Sequence, residues 1–230
     1  MALAILMAAA LAACSSPADT GQGKKLTTAQ QLAAAKAKAD AATSMHLTLR
    51  SSGIPASANG ALGADGTGTH APAFKGSLDA RISGFQAKIE VVAIDKQLFL
   101  KLPFTTEFAQ VDPKAYNAPD PAQMFAPVGG ITSLMTSTTN LVEGKQVREG
   151  ADVLTTISGK LPGASVVKLL NIGDAAKTFD VTYGITDPGG ELRSVTMVGP
   201  FFRGATSTPV TSTYVLTLDK YGAPVEISKP

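Results

Sequence analysis

From Met45 onward the chain alternates between apolar and polar positions. Met45, Leu47 and Leu49 are separated by His46, Thr48 and Arg50, and this period of two predicts a strand with one buried face. The same pattern returns in Leu78-Asp-Ala80-Arg-Ile82, Ala87-Lys-Ile89-Glu-Val91 and Leu98-Phe-Leu100-Lys-Leu102. Ser83-Gly84 and Asp95-Lys96 join these three runs closely enough to make antiparallel hairpins. Gly53-Ile-Pro55 ends the first strand, and residues 56–72, rich in Gly, Ala and Thr, predict a twisted or bulged pair. Phe104 to Val111 extends the meander as far as Asp112-Pro113. Later strands are predicted over Leu141–Glu149, Val153–Ser158, Phe179–Thr186, Leu192–Gly199, Val210–Asp219 and Val225–Ile227. Asp187-Pro-Gly-Gly190 and Lys220-Tyr-Gly222 supply turns.

Helical spacing interrupts the alternation in three places. Thr28-Ala-Gln-Gln31 has the form of a capping box, and the Ala-rich run behind it predicts a helix over Ala29–Thr43. Its apolar face is shallow, so it packs on something larger. In the middle, Ala118-Pro-Asp120-Pro121 breaks the sheet. Met124-Phe125 and then Ile131, Leu134 and Met135 predict two short helices, the second ending near Thr138. Leu161-Pro162-Gly163 opens a third through Val166, Val167, Leu169 and Leu170.

The head of the chain has neither pattern. Residues 1–10 are uncharged and wholly apolar, too short for a membrane span of roughly 20 residues but long enough for the core of a signal peptide. Leu11-Ala12-Ala13-Cys14 follows, and Cys14 is the only cysteine. Small residues before a cysteine at this place resemble the bacterial lipobox, in which the thiol takes a diacylglyceryl group and becomes the mature N-terminus. The other reading is an incidental cysteine behind a secretory signal. A signal peptide opens with Lys or Arg, and none precedes Cys14, which leaves room for a start upstream of Met1. Residues 15–25 are small and polar, a solvated tether that includes Lys24 and Lys25. The expected organisation is a signal peptide over 1–13, a lipidated Cys14 with its tether over 14–25, and one domain over 26–230.

Composition narrows the function. Charged residues make up 17% and the formal net charge is +2, so no polyanionic partner is implied. Aromatic and basic residues are not interleaved, which argues against nucleic acid. No Gly-x-Ser-x-Gly, His-Glu-x-x-His or paired-cysteine site is present, so no catalytic residue, metal site or cofactor is assigned. Of the two histidines, His46 falls on the outward side of its strand and His70 in a Gly-Thr loop without an evident partner. Gly66-Thr-Gly68 and Gly21-Gln-Gly23 lack the strand-to-helix setting of a dinucleotide loop.

Several short motifs, taken in order, carry a family resemblance. They are Ser44-Met-His46, Asp120-Pro-Ala-Gln-Met-Phe125 before the Gly-Gly helix, Ile157-Ser-Gly159 with its small helix, and Lys220-Tyr-Gly222-Ala-Pro-Val225. Together with the lipobox they resemble the LppX/LprG-type lipoproteins of mycobacteria and relatives. Tyr221 and Phe179 stand where members commonly carry Trp. The resemblance implies an α+β fold, one strongly curved antiparallel sheet forming a half-open barrel, with helices over the concave face. It also implies an apolar cavity between them for long-chain triacylated lipids or glycolipids, carried across the envelope toward the outer membrane. The protein would then be a monomer on the extracytoplasmic face, anchored through Cys14, with an envelope transporter as a further partner. Asp79 and Arg81 face water because an unpaired buried charge is costly, so the strand pattern turns Leu78, Ala80 and Ile82 inward. The cavity residues expected on this basis are Leu47, Leu49, Leu78, Ala80, Ile82, Ile89, Val91, Leu98, Leu100, Phe125, Ile131 and Leu134. A non-enzymatic interaction protein with a filled core, such as an adhesin or transporter accessory, is the second reading.

The anchor gives the first prediction. Two acyl chains hold stably where one holds weakly, at about 0.8 kcal/mol per buried methylene. Cys14→Ala is therefore expected to move the protein from the membrane to the soluble fraction with an unchanged melting temperature. Fractionation and thermal unfolding measure both, and tight membrane retention of the variant counts against lipidation.

Overall fold

The computed structural model describes residues 25–82, 84–116, 118–204 and 208–230. The signal peptide, Cys14 and residues 15–24 lie outside the described residues. Helix α1 covers Thr28–Ala41, and strands β1 Ser44–Ser52, β2 Gly60–Thr69, β3 Ala73–Ile82, β4 Phe85–Ile94, β5 Gln97–Lys101 and β6 Ala109–Val111 follow. Two 3-10 turns, Pro113–Tyr116 and Pro121–Phe125, lead to α2, Ser133–Ser137. The second half holds β7 Thr139–Glu149, β8 Asp152–Pro162, α3 Gly163–Leu170, β9 Thr178–Thr186, β10 Leu192–Arg203 and β11 Pro209–Asp219. All eleven strands form one curved, open antiparallel sheet in the order β6-β5-β4-β3-β2-β1-β11-β10-β9-β8-β7. Strands β1 and β11 close the two halves against each other, and among the described residues only β6 and β7 have free edges.

Register converts alternation along each strand into two faces across the sheet. Ile157, Tyr183, Val195, Leu216, Leu49, Ala64, Leu78 and Ile89 stand directly opposite one another across β8, β9, β10, β11, β1, β2, β3 and β4. Directly paired residues point to the same side, so this row makes an apolar inner face. One position along, Thr156, Gly184, Ser194, Thr217, Thr48, Asp65, Ser77, Glu90 and Lys101 make the corresponding outer row, without one large apolar side chain.

The helices cover the inner face. Helix α1 packs on β7, β10 and α2; α2 and α3 pack on β8; the Pro121–Phe125 turn packs on β2, β3 and β4. Leu32, Ala35 and Ala39 are the buried side of α1. The helix begins one residue earlier than the sequence predicts and ends at Ala41. Thr27 is the N-cap, its Oγ1 accepting from Gln30 N at 3.3 Å while Gln30 Oε1 accepts from Thr27 N at 2.9 Å. The doublets Thr27-Thr28 and Gln30-Gln31 allow either register, and packing chooses. Gln31 is free to donate to Leu26 O at 3.2 Å and to Glu143 Oε2 at 3.1 Å. Lys25, expected within the tether, also reaches Glu143, at 2.7 Å. Those hydrogen bonds, Lys25 first and then Gln31, hold the Glu143 carboxyl below its ordinary pKa.

Three other expectations change. The pattern-poor stretch after Pro55 forms a full strand, β2, and Phe104–Val111 contributes only the three residues of β6. Val225–Ile227 is not a strand. Both edges of β1 are already taken by β2 and β11, so the C-terminal segment has no ladder to join there. It leaves β11 through Gly222 N, which donates to Ser44 O at 2.9 Å, and Ser44 Oγ, which donates to Ala223 O at 2.6 Å. Lys229 Nζ then lies 3.1 Å from Asp95 at the β4–β5 turn. Asp95 and Lys96 both have positive φ, 53° and 62°, as a two-residue type I′ hairpin requires.

Strand β2 owes its weak pattern to glycine on the inner face. A Cβ at Gly68 would overlap the ring of Phe125, and one at Gly66 would overlap the ring of Phe74. These two rings stack with centroids 5.9 Å apart. Gly68→Ala is expected to destabilise the fold by about 1–3 kcal/mol, the usual cost of overpacking. Urea unfolding measures it, and an unchanged midpoint would show that Phe125 is not held against β2.

Candidate functional site

The inner face carries the apolar core of the described residues, and its two halves are covered differently. On β8 to β11 the row residues Ile157, Tyr183, Val195 and Leu216 are sealed beneath the helices. Leu134 and Met135 of α2 and Val166, Leu169 and Leu170 of α3 belong to the same core. Phe179 is fully buried, its ring edge-on to Phe201 at 4.8 Å, and Phe201 is edge-on to Tyr214 at 4.7 Å. On β2 to β5 the covering element is the Pro121–Phe125 turn, which sits over the Gly68–Phe74–Ala93 row. Farther along these strands Ala61, Ala64, Leu78, Ala87 and Leu100 are only half-buried against the core.

Of the residues expected to line a cavity, Leu47, Leu49, Ala80, Ile89, Val91, Leu98, Phe125, Ile131 and Leu134 are buried in one cluster. Leu78 and Leu100 are half-buried at its margin, and Ile82, at the end of β3, is 42% exposed. The structure thus gathers eleven of the twelve in or against one apolar cluster, with Ile82 opposite Phe85 at the exposed end of the hairpin.

One polar pair sits inside this apolar region and has no signal in the alternation. Thr138 Oγ1 donates to Leu134 O at 2.8 Å, and the Tyr183 hydroxyl lies 2.7 Å from the same Oγ1. The pair ties the end of α2 to β9. Burial raises the Tyr183 pKa above its ordinary value, so the phenol stays neutral. Burial does the same to Tyr221, whose hydroxyl donates to Leu192 O.

A second feature was not legible in the strand pattern. An open groove of about 740 Å³ lies at the opposite end of the strands from the β3–β4 hairpin. Ala71, Pro72 and Ala73, the Asp95-Lys96 turn, Gln123 and residues 223–227 wall it. None of the twelve residues above lines it. Its C-terminal wall is the segment expected as a strand, and only the tertiary path of that segment creates the groove.

The histidines take no part in either feature. His46 bridges three strands on the outer face, with Nδ1 2.6 Å from Asp219 Oδ1 and Nε2 3.3 Å from Asp65 Oδ1. Both ring nitrogens are occupied by carboxylates of neighbouring strands, so the residue acts as a clamp. Among the described residues no group of three or more His, Cys, Asp and Glu could hold a metal, and no helix is long and apolar enough to cross a membrane.

A single curved, open antiparallel sheet with helices packed on one apolar face defines the architectural class, and known structures share it. The crystal structure of LprF from Mycobacterium bovis matches 88% of this chain and 96% of its own, with 16% identity and a TM-score of 0.71. That of LppX from Mycobacterium tuberculosis matches 87% of this chain and 98% of its own, with 20% identity and a TM-score of 0.63. No curated protein matches by sequence. The family model of the LppX_LprAFG lipoproteins matches residues 27–227, and the chain belongs to that family.

The polar pair supplies a prediction. Tyr183→Phe removes one buried hydrogen bond and leaves Thr138 with its Leu134 partner, so a loss of about 0.5–1.5 kcal/mol is expected. Chemical denaturation of the two single variants and of Tyr183→Phe with Thr138→Val gives the coupling, and strict additivity would show that the two hydroxyls do not interact.

Proposed function

We propose that this lipoprotein is a carrier that binds long-chain acylated lipids or glycolipids on the inner face of its sheet. It acts as a monomer on the extracytoplasmic side of the cell membrane, tethered through acylated Cys14, and passes its lipid across the envelope toward the outer membrane. An envelope transporter is the partner expected to hand over or receive the lipid. The role is not enzymatic and uses no cofactor.

The observation that carries this reading is the uneven cover of one continuous apolar wall. Its β8–β11 half is closed by helices, whereas Ala61, Ala64, Leu78, Ala87 and Leu100 are half-covered. Small side chains there fill less of the face than large ones would, and the Pro121–Phe125 turn, which packs on β2, β3 and β4, is the element that moves to admit an acyl chain. Transfer from water contributes about 0.8 kcal/mol per methylene, so long chains supply the affinity while a sugar or phosphate headgroup stays in solvent. Membership in a lipoprotein family supports the setting.

A second reading keeps some support, because Phe125, Ile131 and Leu134 are 4%, 4% and 2% exposed and fill the face they cover. On that reading the core is complete and the protein is an envelope interaction module. Mass spectrometry of organic extracts of the natively purified protein separates the two: stoichiometric acyl lipid supports the carrier, a lipid-free protein the module.

Leu78→Trp sharpens the test. If acyl chains lie over Leu78, the indole takes their space and extractable lipid falls several-fold at nearly constant melting temperature. If the face is closed core, the same change destabilises by about 1–3 kcal/mol. A large loss of stability in a protein that never held lipid overturns the carrier reading.

A further inference from the structure

The inner face does not end in solvent-exposed polar residues at the β3–β4 end of the sheet. Ile82 and Phe85 stand directly opposite each other where that hairpin leaves the sheet, and Phe85 is 81% exposed. The next row inward is Ala61, Ala80 and Ala87, followed by Ala64, Leu78 and Ile89. An unbroken apolar track therefore leads from the exposed tip to the buried core.

The β5–β6 connection emerges at the same end, since β3 and β5 run in one direction and β4 and β6 in the other. It carries Leu102, half-exposed, and Phe104, fully exposed. Phe104 occupies an unusual position. Thr105 N donates to Leu102 O at 3.2 Å, closing a turn with Pro103 second and Phe104 third. Phe104 has φ 69°, in the left-handed region where a type II turn favours Gly or Asn. A bulky ring here is conformationally costly and gains no burial in return. Strain and full exposure on one aromatic residue argue that its partner is outside the chain.

We infer that the β3–β4 hairpin tip and the Leu102–Thr105 turn form a bilayer-docking edge, where Phe85 and Phe104 enter the lipid interface and acyl chains pass onto the apolar track. The inference rests on the carrier reading and on acylated Cys14. Cys14 lies 11 residues before Lys25, so whatever path those residues take they span no more than about 40 Å, and the domain stays beside the membrane. The occupant is a lipid surface and not a protein partner, because the patch is continuous with the lipid face and so places the inner face at the source of its ligand.

The test uses the full-length, natively acylated chain in phosphatidylcholine vesicles. With Cys14 acylated, a cysteine introduced by Phe85→Cys, Phe104→Cys or Ala151→Cys is the one free thiol, and each is labelled with an environment-sensitive fluorophore. Ala151, in the β7–β8 turn, is the exposed control at the other end of the strands. Quenching by lipid-borne nitroxide is expected to be at least threefold stronger at 85 and 104 than at 151. Equal quenching at all three overturns the inference, and a chain that does not float with the vesicles overturns docking and anchor together. The double variant Phe85→Ser with Phe104→Ser is expected to take up vesicle lipid about tenfold more slowly with an unchanged melting temperature; an unchanged rate also overturns it. Strong quenching at 85 and 104 in a protein that never acquires lipid supports docking and removes the carrier reading alone.

Discussion

One constraint governs the molecule: a wide antiparallel sheet has paired residues pointing the same way, so alternation in each strand becomes a whole apolar surface. Eight strands contribute to the row from Ile157 through Leu49 to Ile89. A surface of that width cannot face water, and everything else in the chain responds to it. Helix α1, with Leu32, Ala35 and Ala39 buried, is too weakly amphipathic to fold alone and exists because the sheet needs cover. Helices α2 and α3 are short for the same reason, each a patch of apolar side chains held in place by the strands beneath.

The outer face meets the opposite requirement. Its row from Thr156 to Lys101 is polar, and the His46 bridge between Asp219 and Asp65 ties β11, β1 and β2 together where the two halves of the sheet join. Free edges are few for so large a sheet. Strand β6 is three residues long, and β7 carries charged side chains and two register shifts, features that discourage edge-to-edge pairing. The protein therefore presents solvent with a largely polar back and two blunted edges, and its two exposed phenylalanines, Phe85 and Phe104, stand together at one end.

That end gives the architecture its functional direction. Large side chains and three helices close the β7–β11 half, whereas the β2–β5 half mixes alanine and glycine with Leu78, Ile89, Val91 and Leu98, and a single turn covers part of it. The difference is chemical: Gly66 and Gly68 admit the rings of Phe74 and Phe125, and beyond them the face is the alanine row of Ala61, Ala80 and Ala87. The proposed carrier function rests on this face, graded from sealed to half-covered and ending at exposed Phe85.

The sequence by itself determined the strands of strong alternation, two hairpin connections of the first half, the capping box to within one residue, and the inward side of the strongly alternating strands. These are local: a period of two, a turn residue and a capping pair are each written in a few neighbouring positions. It also carried the ordered motifs of the family to which the chain belongs. Tertiary structure decided the rest. Strand β2 has almost no pattern because its glycines are shaped by rings from β3 and the Pro121–Phe125 turn. Val225–Ile227 has the composition of a strand but finds both edges of β1 occupied, so it becomes the wall of a groove instead. The Tyr183–Thr138 pair joins residues 45 positions apart that no local signal relates. Which inward residues are sealed and which stay half-covered depends on where the helices land, and that is set by packing across the whole sheet.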